Sequence, residues 1–312
     1  MQFNRRDFLK ASAGLCLASS LPTVSPLLAA DETFLTPKKI KLQVGATQPF
    51  KAVHVSDSHF CLVDDRENER KKNLAASRLK HFGDGVKRFD AAMALAQKND
   101  ALFLHTGDLI DFTSEKNCEV VNAKFAGTYS FVSAGNHEFS QYVGEAKEDE
   151  PYKAQSFDRI QKAYPNDLKL ASKVVNGVNF VAFDDVYYYV TPQVFKAFQA
   201  EVEKGLPIVA LCHVPLYTPE LFEVANGKNS KCAYLTGVPE ELMKNFDPGR
   251  REQQKPDATT VEFLAWLREQ SLLKAVLCGH LHYYWQGAFS KTATQCVVGA
   301  NYAGAAYEID FE

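Results

Sequence analysis

Five apolar runs in this chain each end in residues that bind metals. They read AVHVSDSH (52–59), ALFLHTGDLID (101–111), YSFVSAGNHE (129–138), IVALCHVP (208–215) and KAVLCGHLH (274–282). Their ends supply Asp57, His59, Asp108, Asn136, His137, His213, His280 and His282. Carboxylate, amide and imidazole make a mixed oxygen and nitrogen donor set with no thiolate in it. Such a set suits Mn, Fe, Zn or Co better than Ca and argues against an iron–sulfur cluster. Asp57 and His59 can serve one cation. The carboxylate of Asp108 has two oxygens, enough to bridge a pair, and Asn136 adds an oxygen without adding charge. His213 with His280 and His282 completes two shells. The chemistry of such a pair is the activation of water beside a polarised oxyanion.

The runs themselves read as buried strands, being β-branched or aromatic and bounded by Gly and Asp. Ligands of open α/β sheets bind outside the carboxyl ends of the strands, so one sheet edge is expected to gather the donors. If the strand continued through Asp57 and His59, both would face the same side. Strands are predicted at 38–44 (an edge), 50–57, 101–107, 129–134, 170–176, 178–184, 207–212, 273–278, 283–289, 294–299 and 305–311. Asn176-Gly177 marks a hairpin. Helices are predicted over 66–98, broken near Gly83-Asp84-Gly85, and over 115–126, 152–163, 192–203 and 259–270. Thr191-Pro192 caps and opens the fourth of these. The alternation, ending in a run of strands, predicts an α/β fold of four layers, α/β/β/α, with two mixed sheets flanked by helices. Residues 217–257 hold several Pro and Gly, mixed charge and little periodicity. They read as an irregular insertion, long enough to serve as a lid, with Tyr217, Phe222, Tyr234 and Phe246 available to an organic leaving group.

The front of the chain is of another kind. NRRDFLK (4–10) precedes an uncharged, mildly apolar stretch, and Leu28-Ala29-Ala30 offers a small-residue cleavage site. Residues 1–30 therefore read as a secretory signal whose arginine pair resembles the bacterial twin-arginine export signal. That resemblance implies the twin-arginine machinery as a partner, a folded passenger, and a periplasmic or secreted product. The scattered Ser, Thr and Pro make the stretch a poor spanning helix, so no stable membrane anchor is expected. Residues 31–312 are then one domain. With 46% hydrophobic and 23% charged residues the composition is globular. A net charge of −3 gives no footprint for nucleic acid. Cysteines at 61, 118, 212, 232, 278 and 296 show no CxxC spacing. Cys212 and Cys278 read as buried hydrophobes, and Cys61 and Cys232, in predicted loops, could enter a disulfide after export.

The five runs, taken in order, resemble the signature blocks of the calcineurin-like metallophosphoesterases. These are D-x-H (57–59), G-D-x-x-D (107–111), G-N-H-E (135–138), a His after a strand (213) and G-H-x-H (279–282). The resemblance spans most of residues 31–312 and implies a role for each position. Asp57, His59 and His282 would hold a first transition-metal ion, Asn136, His213 and His280 a second, and Asp108 would bridge. His137 would stand over a small phosphoester substrate and protonate the leaving oxygen, with Asp111 orienting it. A water or hydroxide between two divalent or trivalent ions would attack phosphorus in line, on a phosphomonoester or a phosphodiester. The second block continues with Ile110 and Asp111, so no tyrosine follows Asp108 at the position where the related purple acid phosphatases place an iron-binding one. Two other functions fit the same fold: a binding protein without turnover, and a nuclease. The first would be expected to lack the bridging Asp or the acid His, and the second to show a basic channel. The remaining histidines have plainer readings. His54 and His105 are expected in the core or behind the ligands, and His81 on a helix surface. Glu138 is expected to be structural, and Tyr187–Tyr189 to pack in the core.

Overall fold

The computed structural model describes residues 34–143 and 150–312. The segment read as an export signal, and most of the acidic loop before 150, lie outside the described residues. The first sheet comprises β1 (Thr36–Leu42), β2 (Phe50–Val55), β3 (Leu102–Thr106), β4 (Ser130–Ser133) and β11 (Ala305–Phe311), in the order β1-β11-β2-β3-β4. The second comprises β5 (Leu170–Val175), β6 (Val178–Phe183), β7 (Ile208–Leu211), β8 (Leu273–Cys278), β9 (Trp285–Ala288) and β10 (Thr294–Val297), in the order β5-β6-β7-β8-β10-β9. Both sheets are mixed: β11 runs antiparallel to β2, and the pairs β5–β6 and β9–β10 are antiparallel, whereas β2, β3 and β4 run parallel, as do β6, β7 and β8.

Strand alternation builds the layers. Ala52, Leu102 and Leu104 of the first sheet meet Val209, Leu211, Ala275 and Leu277 of the second in a shared core. Their sequence neighbours Val53, Val55 and Phe103 turn outward to the helices α2 (Gly85–Lys98), α3 (Glu115–Phe125) and α4 (Glu150–Ala163). Ile208, Ala210 and Val276 likewise face α5 (Pro192–Val202) and α8 (Ala258–Arg268). Strands buried on both faces read as unbroken apolar runs, and that is why the five runs stood out. The four-layer sandwich expected from the sequence is the fold observed.

The helices before β3 are α1 (Glu69–Phe82), capped by the Asn68 side chain, and α2, capped by Asp84; Gly83 separates them at φ +68°. Residues 217–257 are more regular than expected. They contain α6 (Pro219–Lys228), capped by the Thr218 hydroxyl, and α7 (Pro248–Gln254). Leu221, Phe222, Leu235, Met243 and Phe246 pack into the outer core of the second sheet. Two short Pro-opened helices leave too few turns for a helical period to show in the sequence. Among the described residues no helix is long and apolar enough to cross a membrane.

Candidate metal centre

Every donor expected from the sequence sits just past the carboxyl end of a strand, but from two sheets rather than one edge. Asp57 and His59 follow β2, Asp108 follows β3, and Asn136 and His137 follow β4. His213 follows β7, and His280 and His282 follow β8. The sheets meet where His213 Nε2 lies 3.1 Å from Asp108 Oδ2. Nor do Asp57 and His59 share a face through strand alternation. The strand stops at Val55, and both residues take left-handed backbone, φ +58° and +48°. Asp108, His280 and His282 do the same, at +53°, +66° and +58°. Left-handed backbone is uphill for residues with a Cβ and gathers at functional sites. Backbone pairing holds it here: Asp57 N–H donates to Gly107 O and His59 N–H to Asp108 O, both at 3.0 Å.

Two motif glycines permit the close approach. A Cβ on Gly135 would fall 2.2 Å from Asp108 Oδ1, and one on Gly279 would fall 2.6 Å from Asp57 Oδ2. Glu138 is the fastener beneath. Its buried carboxylate accepts the N–H groups of Asp108, Leu109 and Gly135 at 2.9, 2.7 and 2.6 Å and the Tyr164 hydroxyl at 2.8 Å. The structural reading of Glu138 agrees with this. Burial, then the charge of Asp108, pushes its carboxyl above the usual range, opposed by these donors. Glu138→Ala strands buried N–H groups, and stability should fall by at least about 3 kcal/mol. An unchanged midpoint of thermal unfolding would refute this role.

The tautomers follow from the outward partners. His59 Nδ1 faces Asp111 Oδ1 at 3.0 Å and His213 Nδ1 faces Thr106 O at 2.7 Å, so both nitrogens donate. His280 Nε2 meets the Tyr188 hydroxyl at 3.2 Å, and His282 Nδ1 meets the Tyr302 hydroxyl at 3.1 Å. Each imidazole therefore turns its other nitrogen inward. There His280 Nδ1 is 3.1 Å from His213 Nε2, His282 Nε2 is 3.2 Å from Asp57 Oδ1, and His59 Nε2 is 3.4 Å from His282 Nε2. Asp57 Oδ1 and Asn136 Oδ1 are buried without a hydrogen-bond partner. The interior of the site is thus a ring of acceptors facing acceptors. Protons or cations between them relieve that arrangement, and an outward hydrogen bond on each ligating imidazole is how proteins fix metal ligands. Cations fit this donor set.

The donors fall into two clusters, Asp57–His59–His282 and Asp108–His213–His280. A third grouping, His59–Asp108–His137, lies across the gap between them. Asp108 reaches both sides through one oxygen. Its Oδ1 accepts the His137 N–H at 2.9 Å, which leaves Oδ2 for His213 at 3.1 Å and His59 at 3.9 Å.

A model of the calcineurin-like phosphoesterase family matches residues 50–284. The chain belongs to that family. No curated protein matches it in sequence. Among solved structures it is similar to a dimetal phosphatase from Danio rerio, at 14% identity and TM-score 0.48, over 81% of this chain and 88% of that one. A phosphopantetheinyl hydrolase from Mycobacterium tuberculosis aligns at 11% identity and TM-score 0.42, over 81% of this chain and 90% of that one. A 5'-nucleotidase from Candida albicans aligns at 15% identity and TM-score 0.42, over 85% of this chain; this chain spans only 48% of its length.

Several residues of this calcineurin-like site escaped sequence reasoning. Arg78 of α1 grips Asp111 with Nε and Nη2 at 2.6 and 2.8 Å. Asp111 thus serves His59, His137 and Arg78 together, and they hold its carboxyl well below the usual range although burial opposes it. Buried Asp185, pushed up to about 7 by burial, accepts the N–H groups of His213 and Val214 and the Thr236 hydroxyl. Tyr188 and Tyr302 carried no signal of their own, because their partners stand 92 and 20 residues away. His54 and His105 lie outside the donor clusters, hydrogen-bonded to Thr106 Oγ1 and Ser58 Oγ, and burial pushes each down to about 3. All six described cysteines are buried free thiols, Cys61 and Cys232 included.

The electrostatics yield a measurable consequence. Burial opposes charge on His213, but Asp108 and then Asp57 outweigh it and raise the imidazole to about 10. At neutral pH the metal-free site therefore holds a proton there, while Asp57 and Asp108 are already ionised, both shifted downward against their burial by the surrounding imidazoles. A cation taking His213 Nε2 must expel that proton. Metal loading should release about one proton per chain, and affinity should rise by up to about tenfold per pH unit over the neutral range. Calorimetry in buffers of different ionisation heat measures this; a binding heat independent of buffer would contradict it.

Proposed function

We propose that this protein is an exported phosphoesterase that holds two transition-metal ions, Mn, Fe, Zn or Co, and hydrolyses small phosphomonoesters or phosphodiesters. The observation that carries the reading is the inward ring of acceptors, with every imidazole pinned from outside. Asp57, His59 and His282 would hold one ion, Asn136, His213 and His280 the other, and Asp108 Oδ2 would be shared. When bound, the ions supply Lewis-acid activation of water and balance the charge gathering on the phosphoryl oxygens.

His137 is the residue that moves a proton. Its Nδ1 is engaged by the backbone oxygen and carboxylate of Asp111, at 2.9 and 3.1 Å, so the mobile proton is on Nε2. Burial disfavours that proton, but Asp108 and Asp111 outweigh it and raise the imidazole to about 9. In the metal-free site His137 is thus an acid at neutral pH, with a partly exposed ring, and its position suits it to protonate a departing alkoxide. Asp111, fixed by Arg78, keeps the ring from turning.

Metal analysis of the purified protein, followed by turnover of p-nitrophenyl phosphate and bis(p-nitrophenyl) phosphate, tests the reading. Close to two ions per chain and metal-dependent hydrolysis of at least one ester are expected. Two bound ions with neither ester cleaved would favour a binding protein. For export, replacing Arg5 and Arg6 with Lys should leave uncleaved precursor in the cell; unchanged export would point to another route.

A further inference from the structure

Of the four aromatics in residues 217–257, three are spent on packing. Phe222 and Phe246 are buried in the outer core of the second sheet, and Tyr217 packs against it. Tyr234 is different. Its ring centroid lies 5.8 Å from that of His280, at 70°. Ala233 and Leu235 on either side are almost fully buried in the same core, at 1% and 0% exposure, while Tyr234 stays partly exposed. The reversal comes from the backbone. Tyr234 is left-handed, φ +57°, an uphill conformation for a bulky aromatic. Surrounding bonds impose it. Tyr234 N–H donates to buried Gln254 at 3.0 Å, Thr236 N–H donates to Pro215 O at 3.0 Å, and the Thr236 hydroxyl donates to Asp185 at 3.1 Å. That same Asp185 holds the backbone of His213. The insertion is therefore tied to the metal centre and uses the tie to bring one ring there.

Two neighbours complete the place. The Arg250 guanidinium carbon stands 5.5 Å from the Tyr234 ring centroid, with Nη1 donating to Gln253 at 2.6 Å. Tyr188 flanks His280 as well, its ring 5.8 Å away and its own backbone at φ +70°. A strained aromatic with a cation against it, set beside a ligand cluster, is built to offer a ring rather than to fill a core.

We propose that Tyr234, steadied by Arg250, seats a flat aromatic ring in the alcohol portion of the substrate, so that the site selects phosphoesters of ring-bearing alcohols. The proposal rests on the phosphoesterase reading. Phosphonates test it without turnover: phenethylphosphonate carries a flat ring, and cyclohexylethylphosphonate carries a puckered ring of similar size. Calorimetry on the metal-loaded protein should show the phenethyl compound binding about threefold to tenfold more tightly, the range expected for one aromatic pair. Tyr234→Asn tolerates left-handed backbone and should erase the preference while metal content and inorganic phosphate binding persist. Tyr234→Phe should keep the preference, and Arg250→Met should weaken it, which provides a second test if the Asn variant folds poorly. Equal binding of the two phosphonates by the parent protein would overturn the proposal. So would a preference that survives in Tyr234→Asn. If inorganic phosphate itself fails to bind the loaded parent, the phosphoesterase reading falls and this inference with it.

Discussion

Asp108→Asn should leave a folded protein that neither holds the two proposed cations nor turns over phosphoesters. The substitution is isosteric. The amide oxygen can still accept the His137 N–H that Oδ1 accepts at 2.9 Å. The amide nitrogen, however, would sit where Oδ2 faces His213 Nε2 at 3.1 Å. An N–H there donates into the inward lone pair of His213 and closes the shared position. One charge is lost as well, from the carboxylate that both donor clusters approach. Losing an outer partner of a metal ligand costs about 10–100-fold in affinity, and losing the shared ligand should cost more than that at both positions. Metal analysis beside a thermal melt separates the effect from unfolding. A variant with both ions and full activity would show that Asp108 does not bridge.

His137→Ala is the complementary case. The metals should stay, because His137 belongs to neither main cluster and His59, whose ring it meets edge-on at 4.7 Å, keeps its own bond to Asp111. Turnover should fall by roughly 10²–10⁴-fold, the usual range for a general acid. The loss should shrink as the leaving group becomes more acidic, since a good leaving group departs without a proton. A series of aryl and alkyl esters measures that slope. Equal losses across the series would remove the acid role and leave His137 as a source of positive charge.

What could be read in the sequence was what lies close in the chain. Asp57 and His59, Gly107 to Asp111, and Gly135 to His137 are short motifs at strand ends, and strands buried on both faces declare themselves by composition. The eleven strands of the described residues all overlap segments expected from the same signals. The left-handed turn that aims Asp57 was not readable, because a strand extrapolated by its period gives the wrong face. Arg78 was not readable either: α1 is a mostly polar helix, and nothing local marks one arginine among its charges as the partner of Asp111. Tyr188 and Asp185 reach His280 and His213 across strands of the second sheet, and Tyr302 reaches His282 from the first sheet, so none of these contacts has a local signature in the chain. Cys61 and Cys232 looked like loop residues and are buried, since loops beside a crowded site are covered by their neighbours.

The place of β11 between β1 and β2 bears on how such a site comes into being. Lys41 and Glu312 pair across 271 residues. The segment leading into β11 also clasps the site: Asn301 N–H donates to Ser56 O at 2.8 Å and Tyr302 N–H to Asp57 O at 3.1 Å. A chain emerging from the ribosome therefore carries β2 with one edge open, and the backbone of Asp57 unclasped, until residues 301–311 have been made. Contacts of such long range also form slowly. During synthesis the nascent chain can offer scattered histidines and carboxylates but no assembled pair of clusters, so loose ions in the cell have nothing geometrically complete to occupy. The Asp57–His59–His282 cluster thus waits on the end of the chain for its backbone clasp. Proteolytic trimming of the β11 region should therefore loosen the Asp57–His59–His282 cluster although every one of its ligands remains.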